Sequence, residues 1–164
     1  MGMRTFIVAA VVAVVGAGAH AAEPEKASVK YPADYRTWTH AKSTVIYSDK
    51  HPLYGSFGGI HHIYVNGVGL KSAKTSGPYP DGTVFVFDLL QLTDDNGAYI
   101  EGNRKLLAVM QKDAKRFKDT GGWGFEAFKN GKPQERLVTD ATGQCFSCHT
   151  SQKEHDFVFS VYRE

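Results

Sequence analysis

Three stretches of the chain alternate or cluster β-branched and aromatic residues in the manner of strands: residues 43–48 (STVIYS), 60–66 (IHHIYVN) and 83–92 (TVFVFDLLQL). The third follows Pro80-Asp81-Gly82, a turn in which proline presets φ and glycine accepts a positive φ. Residues 104–117 (RKLLAVMQKDAKRF) fit two periods. Leu106, Met110 and Phe117 suit a helical stripe, while Leu106, Ala108 and Met110 suit one face of a strand. We read a strand through about Lys112 and a short helix after it. Gly121-Gly122-Trp123-Gly124-Phe125 opens another strand that ends at the tight-turn pair Asn130-Gly131, and residues 156–162 (DFVFSVY) are predicted as the last strand. Helical signals are few. Pro32-Ala33-Asp34 opens a short helix through Tyr35, Trp38 and Thr39 with Asp34 as its cap, and residues 68–74 form a second that Gly77-Pro78 ends. Residues 22–30 are charged, alanine-rich and aperiodic, and are predicted to be a loose leader. Repeats, low-complexity tracts and linkers are absent. The fold class is α+β, a predominantly antiparallel β-sheet with short helices in a single domain over residues 22–164.

The N-terminus has a different pattern. Residues 1–4 are short and basic, residues 6–15 are uninterrupted apolar or small side chains, and Ala19-His20-Ala21 offers a small-x-small cleavage site. A bilayer span needs about 20 apolar residues, so the run is too short to cross. Residues 1–21 are read as a secretory signal peptide cleaved near Ala21, which predicts an exported, periplasmic protein; the alternative is an uncleaved anchor. Lys and Arg total 19 against 17 Asp and Glu, with no long block of either sign. Neither nucleic acid nor anionic membrane is therefore expected as a partner.

The densest chemistry lies at Gln144-Cys145-Phe146-Ser147-Cys148-His149, which holds the only two cysteines of the chain. C-x-x-C-H is the attachment signature of c-type haem. Two thiols three positions apart can add to the two vinyl groups, and the adjacent imidazole then lies beneath the iron as its proximal ligand. A zinc site would want about four ligands, with a second C-x-x-C or a spaced pair of histidines, and neither is present. A redox dithiol belongs near the start of a thioredoxin-like domain, and a plain disulfide leaves the histidine unexplained. One haem c is expected, bound through Cys145 and Cys148, with His149 on the iron. Met110 is the only methionine beyond the signal segment, hence the only possible thioether ligand; a lone methionine in an apolar run is read as core filler. His61 and His62 are adjacent on a strand and must point to opposite faces, so at most one can face the haem. His40, His51 and His155 are read as surface or loop residues, Asp81 as a turn acid and Asp88 as an inward polar group. Mitochondrial-type cytochromes c carry the motif near the N-terminus, and four-helix cytochromes c′ precede it with long amphipathic helices. The β-patterned, glycine-rich chain upstream fits neither.

Taken in order, Tyr35-Arg36-x-Trp38, Phe57-x-x-Ile60-x-x-x-Tyr64, Pro80-Asp81-Gly82-Thr83, Trp123-Gly124-Phe125 and the late C-x-x-C-H followed by Asp156-Phe157-Val158-Phe159 resemble the cytochrome P-460 family. The resemblance covers essentially the whole mature chain and implies a homodimeric, β-rich, mono-haem periplasmic protein. Its enzymatic branch oxidises hydroxylamine and carries a lysine cross-linked to the haem, five residues past the glycine matching Gly82. Here that position is Phe87, which has no nucleophilic atom, and the arginine that the branch places after the isoleucine of the distal strand is His61. Lys71 and Lys74, the nearest lysines before the turn, fall in the predicted helix and do not replace it. The chain therefore resembles the cytochrome c′-β branch, in which phenylalanines line the distal haem face; Phe57 and Phe87 map onto that pair. The resemblance implies a five-coordinate iron that binds nitric oxide and carbon monoxide, with possible electron transfer to an unidentified redox partner. An iron with one imidazole beneath an apolar, donor-free face fits neutral diatomics by the same physics. The alternative is an oxidoreductase converting hydroxylamine to nitrogen oxides, which would want an acid or base near the iron. A plain electron shuttle would want a second strong axial ligand, and none is evident.

Overall fold

The computed structural model describes Met1 and residues 28–164. The apolar run and cleavage site of the expected signal peptide lie outside the described residues, as do residues 22–27 of the expected leader. A single antiparallel sheet of five strands follows chain order: β1 (Thr39–Ile46), β2 (Gly59–Val65), β3 (Val84–Asp95), β4 (Ala98–Lys112) and β5 (Trp123–Lys129). Two short helices interrupt the meander, α1 (Tyr54–Phe57) between β1 and β2 and α2 (Leu70–Lys74) between β2 and β3. Behind β5 the chain runs through a π-helical turn (Thr142–Phe146), α3 (Ser147–His149) and a 3-10 segment (Thr150–His155). Every adjacent pair is joined in sequence, so each strand finds its partner by local folding back.

Strand alternation gives the sheet two chemically different faces. On one, the rung Val65–Phe85–Met110–Phe125 runs across four strands, and Ile63–Phe87–Ala108–Ala127 lies beside it. This face carries the apolar cluster of Ile63, Val65, Phe85, Trp123 and Phe125, against which Phe87, Met110, Cys145, Phe146 and Phe157 pack. The other face buries Val86, Leu107, Val109 and Phe128 beneath Val29, Tyr35 and Phe117. Val29 corrects the expected loose leader, which is docked from Ser28 onward. Its side chain fills the second cluster, and Arg136 donates to its carbonyl (3.1 Å), Arg116 to that of Ser28 (2.9 Å).

Other differences have local causes. The N-terminal helix is a single 3-10 turn, Tyr35–Thr37, and the Asp34 side chain caps nothing; its backbone carbonyl accepts from Thr37 instead. β4 starts at Ala98, earlier than the sequence pattern shows, because Asn96-Gly97 (φ 54° and 86°) closes a hairpin with β3. Past Leu90 of β3, and before Leu106 of β4, these two strands pair only with each other among the described strands, forming a projecting ribbon with Tyr99 and Ile100 exposed. After Lys112, a turn held by Asp113 Oδ1 and the 3-10 turn Lys118–Thr120 replace the expected helix. Residues 156–162 form no strand. Asp156 and Phe157 both take positive φ (51° and 65°), which breaks the extended run at its start.

Asp88 is fully buried on the second face, and its charge is met by Arg104, Tyr35 and Arg36, whose Nη1 lies 3.6 Å from Oδ2. Arg104 grips it with Nε to Oδ1 (2.6 Å) and Nη2 to Oδ2 (3.0 Å), and Tyr35 donates its hydroxyl to Oδ2 (2.6 Å). Burial and the adjacent carboxylate push the Tyr35 phenol well above its ordinary value, so it remains a donor. Asp88→Ala strands the Arg104 guanidinium beside an apolar cluster. The expected outcome is a loss of about 3–5 kcal/mol with little change in denaturant slope, measured by guanidinium titration of the holoprotein.

Candidate functional site

The Cys145–His149 motif is held by its own flanks. Gln144 Oε1 accepts from the Thr139 and Asp140 amides (2.8 Å each), and Asp140 Oδ1 accepts from the Thr142 amide (3.1 Å). The helical turn that follows sets Cys145 and Cys148 at i, i+3, one above the other on one side. Both are free thiols. Cys145 leans into the apolar cluster and Cys148 is exposed. Burial, reinforced by the Glu126 carboxylate, raises the Cys145 thiol to about 11, so it is protonated at neutral pH.

His149 sits between the rings of Phe125 (4.9 Å between centroids) and Phe159 (5.0 Å). Its Nδ1 lies 2.7 Å from the Phe157 carbonyl oxygen, which can only accept, so Nδ1 carries the proton. Burial lowers the imidazole below its ordinary value, leaving the ring neutral and Nε2 with a bare lone pair. A carbonyl that fixes tautomer and ring plane is the usual support of a metal-ligating histidine. Asp156 makes that support possible. Its Oδ1 meets Lys112 Nζ (2.7 Å), Oδ2 accepts from the Tyr79 amide (3.0 Å), and its carbonyl accepts from Trp123 Nε1 (2.8 Å). The positive φ at Asp156 and Phe157 then turns the Phe157 carbonyl onto His149.

Phe57, at the end of α1, and Phe87, on β3, meet edge to face at 5.7 Å. Phe87 shares the apolar cluster with Cys145 and Phe146, so the phenylalanine pair and the thiol motif flank the same sheet face. His61 stands on this face too, buried, with its ring 4.5 Å from that of Phe87. Its Nε2 donates to the Phe57 carbonyl, and burial lowers its pKa, so Nδ1 is the unprotonated nitrogen. His62 is on the opposite face, as strand alternation requires. Its Nε2 meets Glu101 Oε1 (2.6 Å) and its Nδ1 meets Ser43 Oγ (2.7 Å), which His40 Nε2 also reaches (2.9 Å). Met110 packs into the cluster from β4. Lys71 and Lys74 are exposed on α2, where Lys74 lies over the Tyr162 ring (5.2 Å). Asp81 Oδ1 accepts from the Ala114 amide, a turn role.

Sequence reasoning missed Asp156 as a positioning residue and Phe125, Phe146, Phe157 and Phe159 as the aromatic surround of the motif. The aromatic residues of 156–162 are visible in the chain, but the double positive φ that redirects them has no sequence signal at an Asp-Phe pair. The donor set fits a haem c: two free thiols one helical turn apart, a neutral imidazole with Nε2 bare, and aromatic walls. Among the described residues, no group of three or more His, Cys, Asp or Glu side chains could hold a metal ion directly.

Two outcomes follow from the geometry. Asp156→Ala removes the partner of Lys112 and the acceptor for the Tyr79 amide; the amides of residues 156–158 should exchange faster by hydrogen-exchange mass spectrometry, with a stability loss of about 2–4 kcal/mol. His61 has a folded-state pKa below its unfolded value near 6.5, so its neutral form is the one that folding favours. Native stability should therefore decline as pH falls through about 6.5 toward the lower folded value. His61→Phe lacks this component, so in denaturant titrations at pH 8 and pH 5 the variant should gain on the native protein at the lower pH.

Residues 32–160 match the family model for cytochrome P460. No curated protein matches the chain. With most of its length covered, from the N-terminal 3-10 turn to beyond the C-x-x-C-H motif, the chain belongs to the cytochrome P460 family and is a haem-binding cytochrome.

Proposed function

We propose that this cytochrome is an exported periplasmic protein carrying one haem c, attached through Cys145 and Cys148 with His149 as the only protein ligand to iron, and that it binds nitric oxide and carbon monoxide. Such a haem supplies an open coordination position that a neutral diatomic can take. The observation that carries the reading is the Phe57–Phe87 pair, an edge-to-face aromatic wall at the position where the enzymatic branch would need a lysine. Phenylalanine rings exclude water and offer no hydrogen bond to a polar ligand. They disfavour charged or strongly hydrated species and leave small neutral gases. The support for His149 is its bare Nε2, set by the Phe157 carbonyl.

His61 favours one second reading. Its ring lies 4.5 Å from that of Phe87, and its unprotonated Nδ1 could accept a proton from a substrate, as oxidation of hydroxylamine would require. Against this, its only N–H is committed to the Phe57 carbonyl, so the neutral ring cannot also donate one.

Phe87→Ala tests the wall. In the ferrous holoprotein, carbon monoxide and nitric oxide association should accelerate by roughly tenfold or more, about 1.4 kcal/mol off the entry barrier. Unchanged rates would mean that Phe87 does not cover the open position. The native ferrous spectrum should be high-spin and five-coordinate, and the denatured mass should equal the chain plus one haem; an additional haem–protein bond would favour the hydroxylamine reading.

A further inference from the structure

The short helix that carries Phe57 has little to hold it. None of the residues of α1 is buried, Tyr54 and the preceding Leu53 are exposed, and a side chain at Gly55 would meet nothing within 4 Å. A four-residue helix has no stability of its own, so its position depends on tethers. Two side chains supply them, from different strands and to consecutive carbonyls. His61 on β2 donates to the Phe57 carbonyl, and Lys105 on β4 donates its ammonium to the Gly58 carbonyl (2.6 Å).

Lys105 occupies an unusual position for this task. Leu89 pairs with Leu106 and Leu90 with Arg104, so Lys105 is the extra residue of a β-bulge. Bulges turn a side chain out of the regular alternation, and here the redirected lysine reaches the turn between α1 and β2. That turn is pressed hard against β3. At Gly59 (φ +136°) a Cβ would stand 2.2 Å from the Leu90 carbonyl oxygen, and at Gly58 it would stand 2.7 Å from that of Tyr54. No carboxylate lies within ion-pair distance of the Lys105 ammonium among the described residues, so its bond to Gly58 does not compete with an ion pair.

We infer that Lys105 is a positioning residue for the ligand wall: its ammonium latches the end of α1, keeps Phe57 against Phe87, and so governs how readily a diatomic reaches the open face. The inference rests on the proposed reading of Phe57 and Phe87. A charge-assisted hydrogen bond to a backbone carbonyl is among the stronger single tethers available, and removing it should raise the open population of α1 by about tenfold.

Carbon monoxide association, followed by flash photolysis of the ferrous holoprotein, tests the latch in Lys105→Met, Lys105→Arg and Phe87→Ala beside the native protein. Lys105→Met should bind about tenfold faster, and the Gly58 amide, bonded to the Tyr54 carbonyl, should exchange faster. Lys105→Arg keeps a cationic donor and should stay within about twofold of native in both measurements. A native rate in Lys105→Met while Phe87→Ala accelerates would overturn the latch and leave the wall standing. Native rates in both would overturn the wall, and the latch with it.

Discussion

The bond between Lys112 and Asp156 is the point on which the motif depends. Both groups are largely removed from water, with side chains 11 % and 16 % exposed, so each charge needs the other. Because Asp156 is fixed through both carboxylate oxygens and its own carbonyl, the chain can hold two consecutive residues at positive φ there. Non-glycine residues adopt that conformation only when the surroundings over-determine it. Its product is one carbonyl oxygen, that of Phe157, aimed at one imidazole nitrogen. The tautomer of His149 is therefore set by an ion pair on the far side of the turn, through backbone geometry rather than direct contact.

The same economy of placement runs through the sheet. Successive residues of β3 serve opposite ends: Phe87 faces the aromatic cluster, Asp88 faces Arg104 and Tyr35, and Leu89 returns to the first face beside His61. A one-residue slip would bury the carboxylate among phenylalanines and send Phe87 toward a guanidinium. The network around Asp88 thus fixes register as well as contributing stability, and the register is what sets Phe87 opposite Ile63 and within reach of Phe57.

Much of this was legible in the chain. Alternation in 60–66 and 83–92 identified two central strands, Asn130-Gly131 ended β5, and adjacency alone sent His61 and His62 to opposite faces. The C-x-x-C-H motif named its own residues. What stayed hidden has physical reasons. α1 has no periodic pattern, being four residues fastened by side chains remote in sequence. The strand predicted at 156–162 has the right composition, but its first two residues are turned by contacts with Lys112, Tyr79 and Trp123 that no local pattern encodes. The apolar content of residues 22–30 is too small to signal docking, yet Val29 is buried in the cluster that holds Leu107, Val109 and Phe128. Lys105 reads as an ordinary strand lysine until the register shift gives it a direction of its own.

The ribbon formed by the outer parts of β3 and β4 has a colloidal consequence. Two-stranded extensions expose backbone donors and acceptors along both edges, the arrangement through which separate molecules add strands to one another. This one is interrupted by register shifts at Leu89–Leu90 and Leu90–Leu92, which twist the edge away from a flat template. It also carries Asp94, Asp95 and Glu101 within a short length, so a second copy approaching edge to edge brings like charges together. Asp94 and Asp95 are further engaged in the turn, accepting from Gly97 and Asn96. An arm with Tyr99 and Ile100 on its surface is thereby kept from nucleating the open-ended stacking that its shape would otherwise invite.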